Sequence, residues 1–458
     1  MHQRKFIPAG ILILILAISL FLSACNASGT EADASDDFLS GLGLEEMTDV
    51  SALDLRDKEL TVQQYRLLRN RFPDCEILWN VPFRGTCYPS DIRDLSIDSL
   101  DEADLGFLHL FPNLESIQIQ RSADCTVLAQ LSADRPELRL DYNISFCGAS
   151  VNCGATSLTI SGEKLEEAAS LLPYFRNLKS VTFAEPLPEA AQIYALQKEY
   201  PHVDFSWTLT FHNMTLDHTT AALDLTGIPV TVEEMETLIP YLPNLSYVDM
   251  SGCGIDNEQM DALNRRHKNI KIVWTVSIGQ FIQLKTDTTW FMAAKFGYTV
   301  STEDVYNLRY CTDIIAIDLG HMKITNCDFV AFMPHLRYLI LADTKVKDLT
   351  PLTGLDELAF LELFLMDVQD FAPLETLTAL EDLNLHYTQG NAEVISRMTW
   401  LKNLWWNRCS DQDLELLRQS IPGCHINYTS YQSTGGGWRN LPNYYAQRDI
   451  FGMPYMTD

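Results

Sequence analysis

In the last third of the chain apolar residues recur in the order L-x-x-L-x-L at a fixed interval. Ile314, Ile317 and Leu319 are followed by Leu336, Leu339 and Leu341, then Leu358, Leu361 and Leu363, then Leu380, Leu383 and Leu385, each set 22 residues after the last. A final set, Leu401, Leu404 and Trp406, comes 21 residues later with tryptophan in the third slot. Leu-x-Leu within such a set predicts a short strand, because alternate residues of a strand point to opposite faces. A single coil of this kind has nowhere to bury its apolar edge, so neighbouring coils must stack and share one core. After the strand two coils run through proline-bearing segments, Asp348 to Leu352 and Asp370 to Leu374, which have room for a tight turn or a 3-10 piece but not for a full helix.

The N-terminal part repeats the idea with longer coils. Strands are predicted to begin at Leu114, Ile117, Ile119, at Leu178, Val181, Phe183 and at Leu245, Val248, Met250, with partners upstream at Leu53 and Leu55, Leu95 and Ile97, Leu158 and Ile160, and Leu223 and Leu225. Helix starts are legible between them as Thr61 with Gln64, Thr231 with Glu234 and Asp256 with Gln259, a capping oxygen followed three residues later by a side chain that reaches back. A longer motif fixes the module: Phe72-Pro73 to Trp79 to Phe83, Arg135-Pro136 to Tyr142 to Phe146, Tyr200-Pro201 to Trp207 to Phe211, and His267 to Trp274 to Ile278. The alternation Ile77, Trp79, Val81, Phe83 reads as one strand with a buried face, so these aromatics are expected in the core; a ligand-gripping aromatic ladder is the competing reading.

The text Asp-Leu-Thr-Pro-Leu and the 22-residue interval resemble the internalin-like class of leucine-rich repeats over roughly residues 311 to 428. The expected fold is an α/β solenoid: a leucine-rich-repeat right-handed superhelix with a parallel sheet on one face and helices or 3-10 turns on the other. With Leu22-Ser23-Ala24 before Cys25 near its start, and with Gly437-Trp438-Arg439, Pro442, Tyr444, Tyr445, Arg448 and Phe451 in the tail, the chain resembles leucine-rich-repeat lipoproteins of anaerobic, mostly Gram-positive gut bacteria. That family is defined by architecture, which hosts many partners. The repeat consensus usually places asparagine three residues past the last core leucine. Here Met322, Thr344, Met366, Thr388 and Cys409 stand there, with Cys253 in the equivalent place upstream. Methionine only fills space, so the hydrogen-bond ladder between coils is expected to break at two of them, and Cys253 and Cys409 are expected to be buried free thiols.

The first residues change the picture of where this solenoid sits. His2, Arg4 and Lys5 precede an apolar stretch from Phe6 to Leu22, and Leu22-Ser23-Ala24 abut Cys25, a signal-peptide layout that resembles the bacterial lipobox. Cys25 would then be the lipidated first residue of the mature chain. An uncleaved membrane helix is the competing reading, although about 17 apolar residues sit at the lower edge of what spans a bilayer. The organisation expected is a signal peptide over 1–24, an acidic flexible linker over 25–48, a long-coil array over 49–283, a transition over 284–310, the internalin-like array over 311–428 and a tail or cap over 429–458.

Charge and chemistry narrow the function. With 33 basic and 61 acidic side chains the net charge is −28, and no segment supplies a basic stripe, which excludes nucleic acid as a partner. The same charge opposes an anionic membrane surface and leaves attachment to the lipid. The chain has 11 cysteines but no C-x-x-C, and a zinc site is not expected. Hydrolase, metalloprotease, phosphate-loop and Rossmann motifs are absent, so neither a catalytic residue nor a cofactor is expected. A solenoid instead exposes the x residues of each strand as columns. In register these are Ala316, Tyr338, Phe360, Asp382, Asn403; then Asp318, Ile340, Glu362, Asn384, Trp405; then Gly320, Ala342, Phe364, His386, Asn407. The expected ligand surface is therefore Tyr338, Ile340, Phe360, Glu362, Phe364, Asp382, Asn384, His386 and Trp405, since an exposed apolar patch of this size implies a partner. The competing reading is that the C-terminal tail folds back and covers it. The function expected is extracytoplasmic, lipid-anchored binding of a protein or peptide, with a glycan as a further option; a structural spacer or scaffold of the envelope is the alternative.

Overall fold

A computed structural model describes residues 38–454, so Cys25 and the apolar segment before it lie outside the described residues. The chain divides into two compact units. One runs to Pro188 and includes Ala195–Phe205; the other takes Glu189–Tyr194 and continues from Ser206.

In the first unit the expected strands form as short parallel pairs. Ala52–Asp54 lies beside Glu76–Leu78, Asp94–Ile97 beside Ser116–Ser122, and Ser157–Ser161 beside Ser180–Ala184. The helix Val62–Arg71 starts at the capping box foreseen at Thr61, whose hydroxyl accepts from the Gln64 N–H while the Gln64 amide accepts from the Thr61 N–H. One feature departs from the sequence expectation. The Ile77 to Phe83 segment is not a single strand but two, Glu76–Leu78 and Asn80–Phe83, parted at Trp79. The second turns back on itself as an antiparallel hairpin with Thr86–Pro89, through Arg84 and Gly85, both at positive φ. The hairpin recurs at Cys147 and Gly148, giving Arg139–Phe146 against Ala149–Asn152. Trp79 and Tyr142 are buried, as a core role requires, so neither belongs to an exposed ladder.

The second unit opens with the same module. Thr208 to Phe211 pairs antiparallel with Met214–Asp217, and Thr275–Ile278 with Ile282–Lys285. Between these hairpins Ala222–Asp224, Tyr247–Asp249 and Lys271–Val273 make a three-stranded parallel sheet. Trp207 and Trp274 are again buried. The regular coils then build a seven-stranded parallel sheet from Trp290–Met292 through Ala316–Asp318, Tyr338–Ile340, Phe360–Glu362, Asp382–Asn384 and Asn403–Trp405 to His425–Asn427. Its register is unbroken: Ile317, Leu339, Leu361, Leu383, Leu404 and Ile426 follow one another from strand to strand. The first strand, Trp290–Met292, comes from the segment in which no clean L-x-x-L-x-L occurs. Opposite the sheet run 3-10 pieces, Asp328–Phe332, Thr350–Leu352 and Ala372–Thr376, and then the helices Ala392–Ser396 and Asp411–Ser420. The Asp348 and Asp370 carboxylates start the two proline-bearing turns by accepting from the N–H groups of Thr350 and Ala372 at 2.8 and 2.9 Å. Alternating parallel strands and helical or 3-10 returns around one apolar core, from Leu216 to Ile421, make this an open leucine-rich-repeat-type α/β solenoid.

The ladder between coils is interrupted more widely than expected. Thr388 carries it, its hydroxyl donating to the Leu363 carbonyl at 2.6 Å and accepting from the Met366 N–H at 3.2 Å. The Thr344 hydroxyl has no partner among the described residues, so the side chain in this slot makes no link there, as at Met322 and Met366. Cys253 is a buried free thiol directed at the Leu225 carbonyl, and Cys409 is a half-buried one directed at Trp406. Among the described residues no cysteine is in a disulfide.

Candidate functional site

The x residues of the seven-stranded sheet point away from the leucine core, as the alternation requires, yet they are not exposed. Tyr338 is 9 % exposed, Phe360 0 % and Trp405 1 %; Phe364, Glu362, Asp382, Asn384 and His386 are buried too, and Ile340 is half-buried. The expectation of a bare aromatic surface is therefore corrected. What covers it is the tail, which crosses the sheet from its last strand to its first. Trp438, Tyr444 and Phe451 pack with Met292, Ala316, Tyr338, Phe360 and Trp405 into a second apolar cluster, separate from the solenoid core. The Trp438 ring lies 4.9 Å from Phe360 and meets Trp405 edge-on at 5.2 Å.

Polar contacts fix the path of the tail. The Tyr387 hydroxyl donates to the Tyr431 carbonyl at 2.5 Å, Asn384 Nδ2 to that of Ser433 at 2.8 Å and Trp405 Nε1 to that of Gly435 at 2.8 Å. Trp438 Nε1 donates to Glu362 Oε1 at 2.5 Å, and Asn443 Nδ2 to Asp382 Oδ2 at 3.0 Å. The helix Pro442–Ile450 then carries the chain to Phe451, whose carbonyl accepts from Lys295 Nζ at 2.6 Å. Asp382, Asn384 and Trp405, expected to hold a partner, thus hold the chain's own C-terminal segment. His386, fully enclosed, has its pKa pulled down by burial, which the Trp405 backbone partly opposes.

Tail and sheet do not close completely. Between them lies a cavity of about 370 Å³, lined on the sheet side by Asp318, Ile340, Glu362 and Phe364 and on the tail side by Arg439, Tyr444, Gln447 and Arg448, among others. Three residues of the expected surface, Ile340, Glu362 and Phe364, are brought together here. Asp318 and the tail residues are the members that the earlier reading did not select. Asp318 stands in the same column, two strands from Glu362.

The electrostatics of the cavity are unusual. Two carboxyls and two guanidinium groups line it, but the partners recorded for them lie elsewhere. Asp318 accepts from the Gly320 N–H at 2.9 Å, Glu362 from Trp438, and Arg448 donates from Nε and an Nη to the Pro454 carbonyl at 3.2 and 2.7 Å. Arg439 Nε, buried, has no partner among the described residues. Gln447 is 1 % exposed, and neither its amide nitrogen nor its amide oxygen is hydrogen-bonded among the described residues. Burial pushes the Glu362 carboxyl up to about 8, against the Trp438 hydrogen bond, with Asp318 adding to the rise and Arg439 opposing it. Burial likewise raises Asp318, opposed by the Gly320 N–H, His321 and Arg448.

By contrast, the strand face of the first unit is polar. Ser96, Gln118 and Asp141 stand exposed side by side on adjacent strands, with no aromatic residue between them. Among the described residues no group of three or more His, Cys, Asp or Glu is placed to hold a metal ion, and no helix is long and apolar enough to cross a membrane.

No family model matches the chain, and no curated protein does. Among solved structures it is similar to an internalin C2 of Listeria monocytogenes, at 20 % identity and a TM-score of 0.26 over 33 % of this chain and 78 % of that one. An internalin of the same organism matches at 15 % identity and a TM-score of 0.28, over 88 % of this chain and 96 % of that one. A leucine-rich-repeat protein of Leptospira interrogans matches at 16 % identity and 0.26, over 74 % and 96 %. The fold assignment rests on the strand registers and coil lengths given above.

Proposed function

We propose that this chain is a lipid-anchored extracytoplasmic binding protein whose ligand enters the cavity between the strand face of its regular coils and its own C-terminal segment. The observation that carries this reading is Gln447. Enclosing a primary amide with neither donor nor acceptor satisfied costs roughly 1–3 kcal/mol per lost partner, and a fold under no other demand places an apolar side chain there. Around it stand Asp318, Glu362, Arg439 and Arg448, the charged groups that a ligand would complete. Ile340, Glu362 and Phe364 are the part of the sequence-derived surface kept in this site; the tether is Cys25, through the acidic segment that follows it.

Native mass spectrometry of the full chain purified from its own cells, beside the Arg439→Ala variant, tests the reading. A mass retained by the first and lost from the second supports ligand capture. Identical spectra without bound mass favour a structural spacer.

A further inference from the structure

The cavity's own chemistry specifies what it takes. Two carboxyls, Asp318 and Glu362, stand against two guanidiniums, Arg439 and Arg448, so once Glu362 is ionised a ligand of one sign would meet as much repulsion as attraction. The two signs come from opposite walls. Asp318 and Glu362 belong to the sheet, in one column and two strands apart, which is roughly 10 Å; Arg439 and Arg448 belong to the tail. Between them Gln447 offers a donor and an acceptor side by side, the complement of a peptide unit or of a carboxyl group. Ile340, Phe364 and Phe451 supply apolar lining.

Resting on the ligand-capture reading above, we infer that the ligand is a small zwitterion, an amino acid or short peptide with a free ammonium group held by the sheet carboxyls and a free carboxylate held by the tail guanidiniums. The volume of about 370 Å³ admits a molecule of that size and not a folded partner. Because it bridges sheet and tail, such a ligand fastens the tail to the coils. Burial holds much of Glu362 protonated at neutral pH, so seating an ammonium group there expels a proton and binding tightens as the pH rises toward about 8. Asp318, Arg439 and Tyr444 face that carboxyl, and His321 and Arg448 face Asp318.

The test is calorimetric titration of the full chain in detergent with L-leucine and L-leucyl-L-leucine, beside N-acetyl-L-leucine and L-leucinamide, which lack one charge each. At least one zwitterion should bind at least tenfold more tightly than both blocked forms. Gln447→Leu should lose that binding without lowering the thermal midpoint, since it replaces an unsatisfied amide by an apolar side chain of similar volume. Glu362→Gln, which keeps an acceptor for Trp438, should weaken it tenfold or more and remove its rise with pH. Equal binding of blocked and free forms would overturn the zwitterion assignment and leave ligand capture standing. If none of the four binds while the native protein still carries an Arg439-dependent mass, the ligand is of another class. If none binds and no mass is carried, the capture reading fails with it.

Discussion

Glu362 and Phe360 show how differently two residues of one strand behave once the tail lies on them. Glu362 is fully enclosed, and its folded pKa of about 8 stands well above the ordinary 4.5 of a glutamate. A carboxyl raised in this way binds its proton more tightly in the folded state. Its contribution to stability is therefore whole below about pH 4.5 and is lost as the pH climbs to about 8. Glu362→Gln mimics the protonated form and keeps the acceptor for Trp438. Thermal unfolding from pH 5 to pH 9 should show the variant gaining on the native chain as the pH rises, by a few kcal/mol at the alkaline end; parallel curves would place the carboxyl in contact with water. Phe360 carries no charge to titrate, only volume. On an exposed surface Tyr338→Ala with Phe360→Ala would weaken a partner and leave the thermal midpoint unmoved. With Phe360 wholly enclosed under Trp438, its truncation alone should cost about 3–5 kcal/mol by chemical denaturation.

The tail changes what kind of object the coil array is. In a simple repeat array each coil touches its neighbours, and unfolding spreads from an end. Here one segment is bonded to the sheet at Asn384, Glu362 and Lys295, and so ties together coils that do not touch one another. Cutting the chain after Asn427 should uncover Tyr338, Phe360 and Trp405 together. The truncated protein is expected to bind a hydrophobic dye, to unfold at lower temperature and to lose cooperativity, with hydrogen exchange reaching the end strands first. Unchanged exchange protection at the Trp290–Met292 strand would show that the tail is not a strap. The solenoid itself was legible because its core demands a leucine at fixed intervals, and Leu339, Leu361 and Leu383 could be placed in register before any strand was seen. The side of the strand on which Tyr338 and Phe360 lie was legible for the same reason. Their burial under the tail stood only as the competing reading, because periodicity reports which way a side chain points within its own coil and nothing of what is laid over it. The signal was present on both sides, as outward aromatics on the coils and as Trp438, Tyr444 and Phe451 in the tail. Two apolar surfaces in one chain are expected to find each other. The hairpins at Arg84-Gly85 and Cys147-Gly148 were missed for a different reason: the alternation runs on through Trp79, while the turn is marked by a single glycine.

At the scale of the whole molecule the charge and the tether have to be reconciled. A chain of net charge −28 is repelled by an anionic bilayer, so any residence at a membrane needs an attachment that does not depend on the protein surface. The sequence supplies one candidate in Cys25, preceded by Leu22, Ser23 and Ala24. A single acyl chain gives only marginal, reversible membrane binding, whereas a doubly or triply acylated cysteine holds firmly. The stretch that follows is acidic, with Glu31, Asp33, Asp36 and Asp37, and its charge too opposes an anionic surface. Cys25→Ala should therefore abolish acylation of the chain, and mass spectrometry of the native protein should find its N-terminus at an acylated Cys25. Salt distinguishes this anchor from a charge-driven association: raising the ionic strength screens repulsion and so should not release the native protein. A native protein in the membrane fraction with the segment from Phe6 to Leu22 still attached and no acyl mass would instead identify that segment as a membrane helix. The chain would then be held by a protein anchor and not a lipid one.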